Sequence, residues 1–360
     1  MPMTIKFEQI KVSKIINEAP DTISIQFDII PELSELFQYL PGQYLTIRLN
    51  VNGNDERRAY SISSSLILNE PLQITVKNST NSPFLNYLTT KVKVNDFLQV
   101  MPPLGNFTLD PKNIDSKYYV MIAGGSGITP IISIIKTLLY ANSDCKIYLF
   151  YSNKNASNII FKNQLNELEQ KFNSRFKIFH FLTEGSESFE HFRGRINSQI
   201  LGDLFKEHIL DFNEAVQFYL CGPQGLMEEA ERAIINIGIA KDRIHKESFT
   251  APLPQEFGEE IEEKKPKIIK RKVRIKLYGD EYEFEVEPDD TVITSAIFAG
   301  IDPPYSCQIG ACSTCRAKLV SGKVFMDERE ALSDEEIKMG YILTCQSHPL
   351  SDDVFIDYDY

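Results

Sequence analysis

The sequence predicts a multidomain chain: an antiparallel β-barrel, then an α/β domain on a parallel sheet, then a small α+β domain. Three changes of texture carry this reading. Residues 5 to 109 are short alternating runs broken by turn residues. From about 117, apolar strands alternate with helical spacings. Residues 267 to 360 hold a hairpin, a helix and a cysteine cluster. A length of 360 residues agrees, since single cores rarely grow beyond ~250–300 residues.

In the first block, "TISIQFDI", "QYLTIRL", "RAYSISSS", "LQITVKN" and "FLQVMPP" have the two-residue period of strands with one buried face. "NYLTTKV" is expected to be a short helix. The second block begins with the strand "KYYVMIA" and the helix "TPIISIIKTLLYA". It continues through "KIYLFYS", "KIFHFLT", "INSQILGDLF", "QFYLCG" and "GLMEEAERAIINIG". Such alternation builds a parallel sheet covered on both faces. "TAPLPQEFGEEIEEKKP" has three prolines, a charge run and few apolar residues, so an extended linker is expected. The last block opens with "KVRIKLYGDEYEFEVEPDDT", a hairpin around Gly279-Asp280, followed by the helix "TVITSAIFAG". The expected boundaries are 1–110, 111–250, 251–266 and 267–360.

The formal charge of −12 argues against a nucleic-acid partner, whose phosphates would repel the chain. No run approaches the ~18 apolar residues of a membrane span, and the first twenty residues lack the apolar core of a signal peptide. A cytoplasmic protein is expected. Six cysteines in this length are too few for a disulfide scaffold.

Four of them are grouped. "YSCQIGACSTC" sets Cys307, Cys312 and Cys315 within nine positions, and Cys345 follows in "LTCQSHP". Zinc sites usually come as two short pairs, and a redox dithiol at Cys312 and Cys315 would leave Cys307 and Cys345 unexplained. C-x4-C-x2-C with a distant fourth cysteine is the plant-type [2Fe–2S] spacing. Four thiolates place a large negative charge on such a centre, so the loop must aim backbone N–H groups at its sulfurs. Gly310, Ala311, Ser313 and Thr314 are small enough to let the backbone approach.

"AGGSGITP", residues 123–130, follows a strand and opens a helix, with Thr129 placed to cap it and Pro130 in its first turn. Gly124, Gly125 and Gly127 let the backbone approach a ligand, and a helix N-terminus favours phosphate. It is not the G-x-G-x-x-G fingerprint. A tight strand-to-helix turn would also need glycines.

"RAYS" at 58–61, "AGGSGITP", "YLCGP" at 219–223 and "HKESF" at 245–249 occur in an order that resembles the ferredoxin–NADP reductase superfamily, over roughly residues 5 to 250. The resemblance implies FAD. It gives Arg58 to the flavin pyrophosphate, Tyr60 to the isoalloxazine face, and Ser61 to the neighbourhood of N5. It sets Cys221, Gly222 and Pro223 beside the nicotinamide, and Phe249 against the flavin. Family members usually carry glycines and a serine before the barrel's short helix. Here the text is "KNSTNSPFLNYL", so Lys77 and Ser82 are the candidates left. Lys154, in "FYSNKN", is the cation available for the 2′-phosphate of NADPH, with NADH the other possibility. The C-terminal block resembles a plant-type ferredoxin of β-grasp fold, and the order of the three parts resembles reductase components of bacterial oxygenases. Electrons would pass from NAD(P)H through FAD and the [2Fe–2S] cluster to an oxygenase component, Rieske or di-iron. Ser61 and Cys221 are then the residues nearest the hydride. A redox-sensing subunit without turnover is the rival reading, and intact hydride-site motifs speak against it. Residues 267–360 carry 11 Lys and Arg against 18 Asp and Glu. "DEREALSDEE", the densest acidic run, is a candidate docking face or simply a solvated helix start.

Overall fold

The structure, a computed structural model, describes residues 6–80, 82–141, 144–184, 192–208, 215–249 and 266–360. The linker expected at 251–266 lies outside them except for Pro266. The chain divides into two compact units. The larger contains residues 8–56 and 60–249, and the smaller gathers 266–360 with residues 6–7 and 57–59.

The larger unit begins with β1 (Glu8–Ala19), β2 (Thr22–Asp28), β3 (Tyr44–Val51), β4 (Asn54–Ser61), β5 (Gln73–Lys77), α1 (Pro83–Thr90) and β6 (Phe97–Leu104). The strands form one sheet in the order β4-β3-β6-β1-β2-β5. Its two ends meet through the Ile62–Ile74 bridge and the Ser63 N–H donating to the Gln73 carbonyl, so the sheet curls back on itself as a barrel. Ile23, Ile25 and Phe27 of β2 and Ile74 and Val76 of β5 fill its core. The short helix starts earlier than "NYLTTKV" suggested. Ser82 caps it and Pro83, preset near the helical φ, takes the first turn.

Next come β7 (Tyr118–Gly124), α2 (Ile128–Tyr140), β8 (Lys146–Asn153), α3 (Lys162–Lys171), β9 (Phe176–Leu182), β10 (Phe192–Arg193), α4 (Ser198–His208), β11 (Val216–Cys221), α5 (Gln224–Asn236) and β12 (Ile244–Glu247). The strands are parallel, in the order β10-β9-β8-β7-β11-β12. All seven residues of β7 are buried, as expected of a strand with helices on both faces. The chain runs outward from β7 to β10 and then returns to place β11 on the other side of β7. That reversal opens a crevice at the carboxyl ends of β7 and β11.

Helix α2 is buried nearly all round. Its isoleucines and leucines join the sheet core. The polar stripe Ser133, Lys136 and Thr137 lies at i, i+3 and i+4 and meets the barrel. Ser133 Oγ donates to the Ser64 carbonyl (2.6 Å), Lys136 Nζ to the Ser63 carbonyl (2.8 Å) and to Glu70 (2.5 Å), and Thr137 Oγ1 is 3.0 Å from Ser65 Oγ. "RAYSISSS" is therefore not strand throughout. β4 ends at Ser61, and the three serines that follow bind α2. Thr129 does not cap α2 either. Gly127 occupies that position after a 3-10 turn at Gly125–Gly127, and Thr129 Oγ1 donates to the Ser126 carbonyl (3.0 Å).

The smaller unit comprises β13 (Arg271–Leu277), β14 (Asp280–Val286), α6 (Val292–Phe298), β15 (Arg316–Ser321), β16 (Val324–Met326), α7 (Asp334–Lys338), β17 (Tyr341–Leu343), β18 (Ser347–Pro349) and β19 (Phe355–Asp357). The main sheet runs β14-β13-β19-β15-β17, with β13 and β19 parallel and the other neighbours antiparallel. With α6 packed on it, this is the β-grasp arrangement. The hairpin turn is Tyr278-Gly279, one residue earlier than expected. Both have positive φ, and both N–H groups donate to the Asp359 carboxylate at 2.7 Å.

The seam beside α2 carries a titratable group. Burial pushes the Glu18 carboxyl above its usual 4.5, outweighing the Ser24 hydroxyl and Lys136, which lower it. The folded chain thus holds this proton more tightly than the unfolded chain. The group's contribution is fully present below about pH 4.5 and is lost as pH rises through the folded value. Glu18→Gln should flatten that loss, so the wild-type urea midpoint should fall further than the variant's between about pH 4.5 and 7.5. Parallel curves would exclude the assignment.

Candidate functional site

The crevice at the carboxyl ends of β7 and β11 is built by close backbone contact. Cys221 pairs with Ala123 across the two strands. A Cβ on Gly127 would stand 2.1 Å from the Cys221 carbonyl oxygen, and one on Gly124 would stand 2.6 Å from Pro223 Cδ. Gly222, in turn, would collide with the Gly124 backbone nitrogen at 2.9 Å. Gly124, Gly127 and Gly222 thus let the 123–127 and 221–223 segments touch. Gly125 differs: its φ is +53°, and the nearest atom to a built Cβ is Lys77 Nζ at 3.8 Å. Buried Tyr151 donates its hydroxyl to the Gly125 carbonyl (3.0 Å), holding that peptide in place. Lys77 and Gly125 together offer a cation beside an open, glycine-lined turn.

On the barrel side Tyr60 lies nearly parallel to Phe84, with ring centroids 6.4 Å apart and planes at 22°. Ser61 is buried, and its hydroxyl donates to Glu247 Oε2 at 3.0 Å. Burial and then Glu247 push the Cys221 thiol well above its usual range, so it stands as a neutral S–H. Ser61, Cys221 and Glu247, from β4, β11 and β12, form a hydroxyl, thiol and carboxylate group able to hold or pass a proton at Ser61 Oγ. The sequence reading missed Glu247, although it lies inside the quoted "HKESF". A carboxylate ending a strand at the carboxyl edge of a parallel sheet was the available signal. Tyr151 was missed too.

Three other candidates have protein partners of their own. Arg58 lies on β4 and donates to the Arg57 carbonyl (2.9 Å). Ser82 accepts from the Leu85 N–H (3.2 Å), so its hydroxyl is used as the α1 cap. Lys154, just after β8, pairs with Glu184 at 3.3 Å, both side chains well exposed. Phe249 is 43% exposed, which makes it available to a ligand and not a core residue.

The smaller unit brings the four thiols together. Cys312, Cys315 and Cys345 are buried and Cys307 half-buried. They neighbour one another in the sequence Cys312–Cys307–Cys345–Cys315. Cys307, Cys312, Cys315 and Cys345 could hold a two-iron centre, which would supply one-electron transfer. The Cys307 thiol is raised: contact with Cys312 lowers it, but Cys345 and burial outweigh that. Contact with Cys307 and burial push Cys312 far up. Cys345 is raised as well, since Cys315 and burial outweigh the lowering contact with Cys307. Metal entry must therefore displace protons. Ser306 Oγ is buried beside Cys307 without a partner among the described residues, a donor that a sulfur-rich group would satisfy. The Ile309 N–H already points at Cys307 Sγ (3.5 Å). Behind the thiols, the Tyr358 hydroxyl donates to Thr344 Oγ1 (2.9 Å), which donates to the Cys315 carbonyl (2.9 Å). The acids of "DEREALSDEE" are partly committed: Ser333 and Glu336 form a capping box, Glu336 pairs with Arg316, and Asp327 meets His348 at 2.8 Å.

Known proteins share this organisation. Residues 9–109 match the oxidoreductase FAD-binding domain, 121–232 the oxidoreductase NAD-binding domain, and 275–350 the 2Fe-2S iron-sulfur cluster binding domain. One of the subunits of 1,2-phenylacetyl-CoA epoxidase from Escherichia coli K12 is 30% identical, the match covering 98% of each chain. The chain belongs to the ferredoxin–NADP reductase-like oxidoreductases that carry a fused 2Fe-2S ferredoxin. Another member of this reductase family, the ferredoxin reductase component of 3-ketosteroid-9-alpha-monooxygenase from Rhodococcus rhodochrous, is 31% identical over 96% of this chain and 95% of its own. The fold is that of phthalate dioxygenase reductase, with TM-score 0.60 and 23% identity over 98% of both chains. No described helix is long and apolar enough to cross a membrane.

The contact that shapes the reductase crevice can be tested directly. Gly127 has φ −61°, so contact and not backbone conformation forbids a side chain there. Gly127→Ala should cost about 1–3 kcal/mol, as overpacking does, and depress NAD(P)H-dependent dye reduction. Gly225→Ala, where nothing lies within 4 Å, should change neither. Indistinguishable urea midpoints and rates for the two variants would contradict this account.

Proposed function

We propose that this chain takes electrons from NADPH, passes them through FAD and a [2Fe–2S] cluster, and delivers them to an oxygenase component in the cytoplasm. By likeness to the Escherichia coli relative, that component is a phenylacetyl-CoA epoxidase. The observation that carries the proposal is the Ser61–Glu247 hydrogen bond beside the buried Cys221 thiol, at the carboxyl edge of the parallel sheet. When bound, FAD supplies hydride acceptance and single-electron release, which a nicotinamide alone cannot combine.

The protein's part is binding, orientation and proton placement. Arg58, Ser82, Lys77 and the Gly125 turn are assigned to the phosphates of the flavin and nucleotide. Tyr60 and Phe249 are assigned to the faces of the flavin ring, and Gly124, Gly127 and Thr129 to the shape of the turn. Cys221, Gly222 and Pro223 line the nicotinamide side, where a neutral thiol excludes water without adding charge. Ser61 holds a proton whose partner is Glu247. Cys307, Cys312, Cys315 and Cys345 are assigned to the cluster. A sensor without turnover would have no use for the serine, thiol and carboxylate group.

Lys154 is assigned to the 2′-phosphate of NADPH. Its pairing with Glu184 favours a second reading, NADH, in which Glu184 accepts from the ribose hydroxyls. Under the first reading Lys154→Ala should lower kcat/KM for NADPH roughly ten-fold or more while sparing NADH, the scale of one charge-assisted contact. An unchanged ratio would favour NADH. The exposed acids near 330–335 are assigned to docking, which makes electron delivery salt-dependent.

The central test is an anaerobic titration with NADPH and then NADH, followed by visible absorption and low-temperature EPR. Bleaching of flavin bands together with a rhombic reduced-cluster signal is expected. Ser61→Ala should slow flavin reduction roughly 10²-fold or more, as loss of a positioned proton donor does, without loss of bound flavin. Reconstitution with a purified epoxidase, against a steroid monooxygenase, would test the acceptor.

A further inference from the structure

The cluster loop is tied to the fourth cysteine by one side chain that none of the sequence motifs singled out. Gln346 Nε2 lies 2.8 Å from the Cys345 carbonyl, 3.2 Å from the Gln308 carbonyl and 3.6 Å from Cys345 Sγ. A carboxamide nitrogen has two hydrogens, so these three acceptors share them. The loop it reaches is unusual. Gln308 has φ +56° and Gly310 φ +74°, two left-handed residues flanking Ile309. A Cβ on Gly310 would meet Gln346 Cγ at 3.2 Å and Glu328 Cβ at 2.9 Å, so the glycine is required where the glutamine side chain passes. Gln346 is itself fixed on the other side, where the Asp327 N–H donates to its carbonyl (2.9 Å).

We infer that Gln346 is a positioning residue for the iron–sulfur centre. Its amide holds the 308–310 loop, and with it Cys307 and Cys312, against Cys345, and donates an N–H toward the Cys345 sulfur. The inference rests on the reading of the four thiols as holders of a [2Fe–2S] cluster. Donors aimed at cluster sulfurs favour the more negative, reduced state and raise the potential. Gln346 adds to the backbone donors a side-chain donor, one that substitution can remove without touching the peptide chain.

The test uses full-length protein with its cluster. Gln346→Met keeps the length and removes the donors, and Gln346→Glu keeps the shape and replaces the N–H by oxygen. Midpoint potentials come from EPR-monitored reductive titration. Both variants should have a lower potential than wild type, Gln346→Glu the lowest because it also adds charge. Both should lose iron to a chelator roughly five-fold faster, the scale of one hydrogen bond. Deuteration should shift the Fe–S(Cys) resonance Raman bands less in Gln346→Met than in wild type. A potential and deuterium shift in either loaded variant equal to wild type would overturn the inference even if iron loss were faster, because packing alone would then explain the residue. Wild-type protein without two irons per chain or a rhombic signal would instead overturn the cluster reading, and the inference with it.

Discussion

The architecture of the larger unit depends on one buried ammonium. Lys136 sits in the middle of α2, 2% exposed, and its charge is met by the Ser63 carbonyl and Glu70. Burial lowers its pKa, against the raising effect of Glu70. An unpaired charge so placed would be very costly, so the pairing is obligatory and specifies how the helix meets the barrel. Ser133 and Thr137 extend the same stripe to Ser64 and Ser65. Two residues before Ser63 is Ser61, and one residue before α2 is Gly127, packed on Cys221. A polar seam about one helical turn long thus sets the barrel's hydroxyl and the sheet's thiol at the same crevice.

The glycines of "AGGSG" show how one motif can serve two ends. Two of them make room for the 221–226 segment, and at the third a side chain would meet almost nothing. The distinction follows from what a Cβ would meet: a carbonyl oxygen at 2.1 Å for Gly127, and only the far end of Lys77 at 3.8 Å for Gly125. Substitution at the first must shift the neighbouring chain, and substitution at the second strains its own backbone, whose φ is +53°. Close packing and backbone conformation are therefore separate demands within one five-residue turn.

What could be read from the sequence follows from how local each signal is. Four cysteines at a fixed spacing are legible because most of the constellation lies within nine positions. The sheets are legible because alternation and helical period repeat along each segment. The Ser61–Glu247 bond was invisible because its partners are 186 positions apart and meet only after β4 and β12 are placed. Thr129 looked like a cap because it is a hydroxyl before proline, yet the glycine turn had already started the helix at Ile128. The serines after Ser61 continue the alternation of a strand, and only α2, folded against them, reveals their use. Domain texture was local information, and the seam between textures was not.

Strand β19 lies between β13 and β15 at the centre of the smaller sheet, although it is the last strand in the chain. All four cysteines precede it. Protein synthesis runs from the amino end, so Cys345 and Phe355, where β19 begins, are made only ten positions apart. Until residue 357 has been made, β13 and β15 have no common neighbour, and Tyr358 has not reached Thr344. The fourth thiol and the strand that joins the two halves of the sheet are therefore made nearly together, and enclosure of the cysteine loop waits on both.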